Sequence, residues 1–201
     1  MTINSLNAFV GSPPIDGGVL YGADLDAANP TDASTELPAD YKDHGAVGPD
    51  GFTLRPSRTS STEKMMGGGD FIDLQTENGM EIEIQLLEDD NDAVLETVFG
   101  TANVTKTPAT ESEGTKRTIY HTVEQLPLRK YVLNAVYGAK RKRYGAMLAR
   151  VVNVAEIQNV HSASTKYMLT VRCLKPADAE LQGAYVVEFR DDGATVAPVG
   201  G

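Results

Sequence analysis

The run FIDLQTENGMEIEIQL, at residues 71–86, decides the fold of this chain. In its second half, apolar residues occupy every other position from Met80 to Leu86, with glutamates and a glutamine between them. This alternation is typical of an antiparallel strand that has one face in the core and the other in water. Asn78-Gly79 is a residue pair that two-residue hairpin turns favour. The run therefore predicts a β-hairpin over residues 71–86.

The sequence around this hairpin predicts more strands and one short helix. The acidic run at residues 88–92 precedes an apolar stripe that ends at Gly100, which predicts an α-helix at about residues 91–99. The polar residues 101–114 are predicted to form a loop. Further candidate strands are residues 19–25, 116–123, 130–137, 144–157, 165–174 and 184–190. The sum is a mainly β fold, a β-sandwich or barrel of about eight strands with one short α-helix.

Composition and charge bound the classes of function. The chain has 201 residues and a net charge of −10, which is enough length for one core and unfavourable for tight binding of phosphate backbones. Up to Gly114 there are 5 Lys and Arg against 21 Asp and Glu, a net charge of −16; from Thr115 onward there are 13 against 7, a net charge of +6. The two halves either interleave on one surface or supply opposite faces that dock head to tail.

No residue pattern in the sequence is typical of a catalytic or metal site. A single cysteine, Cys173, and three widely separated histidines give neither an internal disulfide nor zinc-ligand spacing. We therefore expect no enzymatic activity, no cofactor and no metal. No apolar run is long enough to span a membrane, so no membrane partner is expected. The basic run at residues 140–143 is expected at a solvated hairpin tip; the alternatives are a contact with the acidic half of another subunit and nucleic-acid binding or nuclear targeting, which no aromatic platform or second basic cluster supports.

We expect one domain over residues 1–201 with three extended parts. The Gly- and Pro-rich residues 1–18 are predicted to form an N-terminal arm. Residues 46–68 contain the turn signal GPDG and a Ser/Thr-rich stretch that ends in three glycines, which predicts a long loop or a distorted hairpin. The small and polar residues 193–201 are predicted to form a flexible tail.

Several of these motifs follow one another in an order that resembles the major tail proteins of long-tailed bacteriophages, particularly those infecting actinobacteria. The motifs are GAVGPDGFT at residues 45–53, SSTEK at 60–64, GGD at 68–70, the alternating strand, and LLEDDNDAVL at 86–95 followed by FG at 99–100. The later strands, at residues 143–174, also look like the family's closing strands. The similarity extends over residues 17–190 and lies in order and spacing. The chain departs from the family at Met65-Met66, where relatives often have an apolar residue and a tryptophan.

This resemblance implies a structural protein of the virion, the tail tube protein of a siphovirus-type phage. Six copies would form a ring, their sheets would join into a continuous inner barrel, and stacked rings would conduct DNA during ejection into the host. The implied partners are other copies of the chain and the tape measure, tail terminator and distal tail proteins. Assembly would take place in the host bacterial cytoplasm, and DNA would pass without specific binding. The C-terminal immunoglobulin-like domain of some relatives is not expected.

Two groups of residues receive roles on this interpretation. The polar face of the alternating strand is the candidate lumen lining, or else it faces the outside solvent: Glu81, Glu83 and Gln85. The candidate contacts between subunits lie in the predicted long loop and in the basic run: Asp50, Phe52, Arg55, Arg58, Lys64, Met65, Met66, Lys140, Arg141, Lys142 and Arg143.

Two other functions stay open. One is the tube protein of a contractile injection or secretion system, which a sheath in micrographs would distinguish. The other is a carbohydrate-binding β-sandwich module. Such a module needs exposed aromatic side chains, and most of the 13 aromatic residues of this chain are expected in strand cores.

Overall fold

The computed structural model of the chain describes residues 3, 5–14 and 18–194. These residues form ten strands and one α-helix, α1, at Asp92–Phe99. The strands are β1 Leu20–Ala23, β2 Lys42–Asp43, β3 Val47–Lys64, β4 Asp70–Leu86, β5 Val104–Thr107, β6 Lys116–Ile119, β7 Arg129–Tyr137, β8 Lys140–Val154, β9 Tyr167–Cys173 and β10 Val187–Asp191. Short 3-10 turns lie at Ser5–Asn7, Thr101–Asn103 and Ala179–Leu181.

Eight of the strands form one antiparallel sheet with the order β2-β1-β7-β8-β9-β4-β3, and β10 pairs with β8. The long strand β8 connects the two parts of this sheet. Its first half pairs with β7 and β10, and its last part pairs with β9. The fold is mainly β with a single α-helix, consistent with a β-sandwich, and the predicted fold class is confirmed.

The main core lies on the apolar face of β4. Ile82, Ile84 and Leu86 are almost fully buried there, as the alternation predicts. They belong to one cluster with side chains of β1, β7, β8, β9 and α1, including Leu133 of β7 and Val94 of α1. Burial of these apolar side chains is the main favourable contribution to folding.

The helix begins and ends as the sequence predicts. The side chain of Asn91 accepts a hydrogen bond from the backbone N–H of Ala93 at 3.0 Å, and Gly100 ends the helix with φ of 91°. The cap is therefore an asparagine, while the acidic Asp92 in the first turn binds Lys106 and Arg117. Those two side chains come from β5 and β6, a two-stranded sheet, so the prediction of a plain loop over residues 101–114 is wrong.

The predicted turn at Asn78-Gly79 is wrong. Both residues lie inside the continuous strand β4, where they pair with Arg58 and Ser57 of β3. The chain reverses instead at residues 65–69, where Gly67 and Gly68 have φ of 103° and 91°. Glycine adopts positive φ without a steric penalty, so these glycines outcompete Asn78-Gly79 for the turn. The predicted long loop over residues 46–68 is thus mostly strand β3, which pairs with β4, and no distorted hairpin forms inside that segment.

The loop at residues 24–41, here called the covering loop, lies over the second face of the sheet and is held there by buried cations. Lys130 donates to the backbone carbonyl of Ala27, and the guanidinium of Arg143 donates to that of Asp32 at 3.0 Å. Burial lowers the pKa of both cationic groups. Their carbonyl partners offset part of the cost of desolvation, because buried charges must be hydrogen-bonded.

The basic run at residues 140–143 is not a solvated hairpin tip. The turn lies at Gly138, and all four residues belong to β8. Lys140 donates to the carbonyl of Ala8 at 3.1 Å, and the ammonium of Lys142 lies 4.3 Å from the centre of the Phe9 ring. The run therefore binds its own N-terminal segment and covering loop.

Part of the predicted N-terminal arm packs on the same chain. Ser12 forms a bridge with Val136, and the Phe9 ring packs edge-on against Tyr137. Residues 1, 2, 4, 15–17 of this arm and residues 195–201 of the predicted flexible tail lie outside the described residues.

Candidate assembly surface

The β3–β4 hairpin extends well beyond the body of the sheet. Its neighbour β9 ends where Cys173 pairs with Met80, and every residue from 55 to 78 is exposed. We call residues 57–78 the arm. One strand of the arm, residues 57–64, measures about 26 Å at a rise of about 3.3 Å per residue. The only hydrogen bond from the described body to a side chain of the arm is donated by the hydroxyl of Tyr185 to Asn78.

Large apolar side chains on the arm face water. Met66 is fully exposed and Phe71 is 70% exposed; Met65, Ile72 and Leu74 are also exposed. Ile72 and Leu74 are two residues apart in β4, where they pair with Glu63 and Ser61, so they lie on one face of the strand. An isolated two-stranded hairpin is marginally stable in water, and exposed apolar side chains mark interaction sites. The arm is therefore a surface that a partner would stabilise.

The structure separates the predicted contact residues into two groups. The exposed ones near or on the arm are Asp50, Arg55, Arg58, Lys64, Met65 and Met66. Phe52 is different: its ring is half-buried and packs edge-on against Tyr144, with ring centres 5.5 Å apart. In the basic run, Arg143 is buried, and Arg141 alone is exposed. Phe52 and Arg143 both pack within this chain, and their predicted contact with another subunit stays a prediction.

The predicted lumen residues do share one face of β4. Glu81, Glu83 and Gln85 are half-buried and alternate with the core residues. Both carboxylates form ion pairs, Glu81 with Arg172 at 2.8 Å and Glu83 with Arg55 at 2.7 Å. The sequence pattern alone misses these arginines, since they come from other strands.

A row of charges crosses this polar face from strand to strand. Arg150 of β8 pairs with Arg172 of β9, which pairs with Glu81 of β4, which pairs with Arg55 of β3. Together with Glu83, the face carries three arginines and two glutamates. Arg150 has no ion pair within the described part of the chain. The polar face is therefore close to charge balance and not strongly acidic.

A groove lies at the unpaired end of β8. The β7–β8 ladder starts at Arg129 and Ala149, so residues 150–154 of β8 pair on one edge only, with β9, and Val152 lies at an irregularity of that ladder. The segment at residues 121–126 lines the other side of this groove, which has a volume of about 770 Å³. Val123 is fully exposed there and Val152 is 45% exposed. The groove thus offers unpaired backbone groups beside apolar side chains.

The buried titratable side chain of His44 forms hydrogen bonds within the fold. The imidazole Nδ1 of His44 donates to the carbonyl of Lys42 at 3.1 Å, and its Nε2 lies 2.7 Å from the hydroxyl of Thr97. A carbonyl only accepts, so Nδ1 carries the proton and the neutral Nε2 accepts from Thr97. Burial lowers the pKa of His44 to about 4.

The cysteine thiol is equally far from reactivity. Cys173 is buried, and burial raises the pKa of its thiol to about 12. A thiol is nucleophilic as the thiolate, so this group is inert at neutral pH. Within the described residues, no three His, Cys, Asp or Glu side chains converge in a way that could hold a metal ion.

Comparison with known proteins assigns no function to this chain. No protein-family model matches the chain, and no curated protein matches it either. Among the described residues, none of the helices has the length and apolar character needed to cross a membrane.

Proposed function

We propose that this chain is a structural protein of a bacteriophage virion that assembles into stacked hexameric rings, the hollow tail tube through which DNA is ejected. The observation that carries the proposal is the arm, a strand pair about 26 Å long that exposes Phe71, Ile72 and Leu74 to water. A second copy is the simplest partner, because a single-protein tube must repeat the same contact at each step. The motif order described above supports the phage tail as the setting.

The edges of the sheet also support self-assembly. The outer edge of β3 and the outer edge of β10 carry no ladder partner among the described strands. Unpaired edges are templates for pairing with another chain. In a closed ring each such edge meets a neighbour, which turns an aggregation risk into the means of assembly.

The exposed aromatic side chains favour this function over a carbohydrate module. Phe71 lies on the arm, and Tyr137 packs against Phe9 with ring centres 6.1 Å apart. Tyr120 follows β6 at another place in the fold. A sugar platform needs aromatic rings that converge on one site, and these rings belong to three separate elements.

The polar face of β4 is the proposed lining of the bore. Its glutamates balance Arg172 and Arg55. Phosphate binding requires several cations that are free to displace counterions, so a balanced face lets DNA slide. On this proposal the tube joins the tape measure, terminator and distal tail proteins in the virion tail, after assembly in the host cytoplasm, and carries no catalytic function.

Negative-stain electron microscopy of the concentrated full chain tests the proposal. We expect hollow rings or filaments of uniform diameter. The matched control is the double variant Phe71→Ser, Leu74→Ser, which keeps the length of the arm and removes its apolar side chains, and which should remain as single particles. A full chain that stays monomeric at millimolar concentration would overturn the proposal, and a surrounding sheath would assign the tube to a contractile system instead.

A second experiment tests the bore lining. The double variant Glu81→Lys, Glu83→Lys raises the net charge by 4 per subunit and leaves Arg55 and Arg172 without their partners. If the face lines the bore, tubes of this variant should retain DNA at low salt and release it steeply as salt rises. Tubes that form normally and retain no DNA would place the face on the outside.

A further inference from the structure

The groove beside β8 has the features of a site for an added strand. Along residues 150–154 the outward N–H and C=O groups of β8 have no ladder partner within the described chain. The volume of the groove, about 770 Å³, falls in the range of ordinary binding clefts, about 300–1,000 Å³. Val152 and Val123 give it an exposed apolar lining.

The arm has the complementary features. β9 stops at Cys173, so the distal part of β4, at residues 70–77, has an outer edge without a ladder partner among the described strands. Ile72 and Leu74 project on the same face at alternate positions, which is the spacing of side chains that enter pockets in strand addition. The arm therefore supplies a backbone edge and apolar side chains that match those of the groove.

The charges of the two surfaces also match. Asp73 and Glu77 of the arm have no ion pair with any described residue, and Arg150 at the groove has none either. Arg150 lies directly opposite Arg172, an unfavourable pair of like charges. A carboxylate brought to Arg150 by a second molecule would relieve this repulsion.

We infer that the groove formed by residues 150–154 and 121–126 receives the arm of a second copy, whose residues 70–77 add a strand to the free edge of β8. This inference rests on the proposed function and names the surface that the arm occupies. The arm is anchored to the body at its base and cannot fold back to the groove of its own chain without breaking the β3–β4 ladder, so the contact is between copies.

Cross-linking between two singly labelled chains tests the inference. A Leu74→Cys chain and a Val152→Cys chain are mixed and treated with a short bis-maleimide; the native thiol of Cys173 is buried and protonated and should not react. We expect a covalent dimer of the two variants. Val160→Cys is the matched control, because Val160 is as exposed as Val152 (49% against 45%) and lies outside the groove. Its cross-linking with Leu74→Cys should be much weaker.

A charge exchange provides the second arm of the test. Arg150→Glu alone and Asp73→Lys alone should each weaken assembly, and the double variant should restore it. The Arg150→Glu chain should fold, since the new glutamate would face Arg172. Rings that form with no Leu74–Val152 cross-link and no charge rescue would overturn the inference while leaving the proposed function intact. Cross-linked dimers without rings or tubes would support the inference and overturn the tube.

Discussion

The two ends of the β3–β4 hairpin are built from the same two strands but have opposite surroundings. At the base, Ile82 and Ile84 are about 1% exposed and belong to the main core. Along the arm, Phe71 and Leu74 are exposed, and no described strand flanks the pair. The comparison shows that one ladder of hydrogen bonds runs through two environments: the base belongs to the core, and the arm is exposed to water.

Removing the arm is expected to give the largest effect. Replacing residues 57–78 by a short glycine-containing turn should abolish assembly, because the exposed apolar side chains are lost. The free energy of unfolding should change by less than about 1 kcal/mol, since substitutions away from core features have small effects. Electron microscopy and urea denaturation measure the two quantities. If the chain without residues 57–78 still polymerises, the arm is not the part of the hairpin that assembly needs.

A pair of alanine substitutions sharpens the same comparison. Ile84→Ala should lower the free energy of unfolding by about 3 kcal/mol, because a cavity remains where a buried side chain was. Leu74→Ala, a similar truncation on the arm, should leave the monomer's stability unchanged within about 0.5 kcal/mol. Chemical denaturation of both variants at low protein concentration measures the difference. Equal losses would mean that the arm packs on its own chain.

The stability of the body should depend on pH in a way that the stability of the arm does not. Burial lowers the pKa of His44 to about 4, while the unfolded chain has its ordinary value of about 6.5. The unfolded state then binds more protons between these values, so stability is lost as pH falls from about 6.5 to about 4, by up to about 3 kcal/mol. Unfolding measured across this window should show the slope in the wild type.

The matched variant for this pH effect is His44→Gln. It keeps a hydrogen-bonding side chain and cannot gain the proton, so its unfolding free energy should vary less between pH 6.5 and pH 4. A slope identical to that of the wild type would assign the pH dependence to the carboxylates.

The ion pairs should show the smallest difference. Glu81→Gln removes the partner of Arg172 at the half-buried base and should cost about 0.5 kcal/mol, an effect that salt reduces. Asp70→Asn removes the partner of Lys64 at the tip, where both side chains are largely exposed, and should have no measurable effect. Thermal unfolding at low and high salt compares the two. A larger effect at the tip would reverse the comparison.

Regular local patterns made much of the fold predictable. The alternation from Met80 to Leu86 predicted a half-buried strand, and the sequence from Asn91 to Gly100 predicted the helix and its cap. The prediction of a turn at Asn78-Gly79 was wrong, because this strong turn pair competed with three consecutive glycines. Only a turn at the glycines allows pairing along the whole of β3. Local preference cannot rank two turns that differ in the length of ladder they permit.

The candidate site was predictable only in part. The first strand of the arm, residues 57–64, lies within the predicted long loop at residues 46–68, and the exposed Met65 and Met66 were among the predicted contacts. The buried position of Arg143 could not be foreseen, because the covering loop that hides it comes more than 100 residues earlier in the chain. The balance of charge around Glu81 is likewise made by arginines from distant strands. The groove has no sequence signal, since it exists where a ladder fails to continue.

The position of β1 in the sheet determines when the subunit can finish folding. Tyr21 pairs with Val132, and the covering loop accepts hydrogen bonds from Lys130 and Arg143, which come later in the chain. During synthesis the first strand therefore leaves the ribosome with its neighbours still unmade, and a loop of more than 100 residues must close before it can join them. The exposed arm is complete well before that moment.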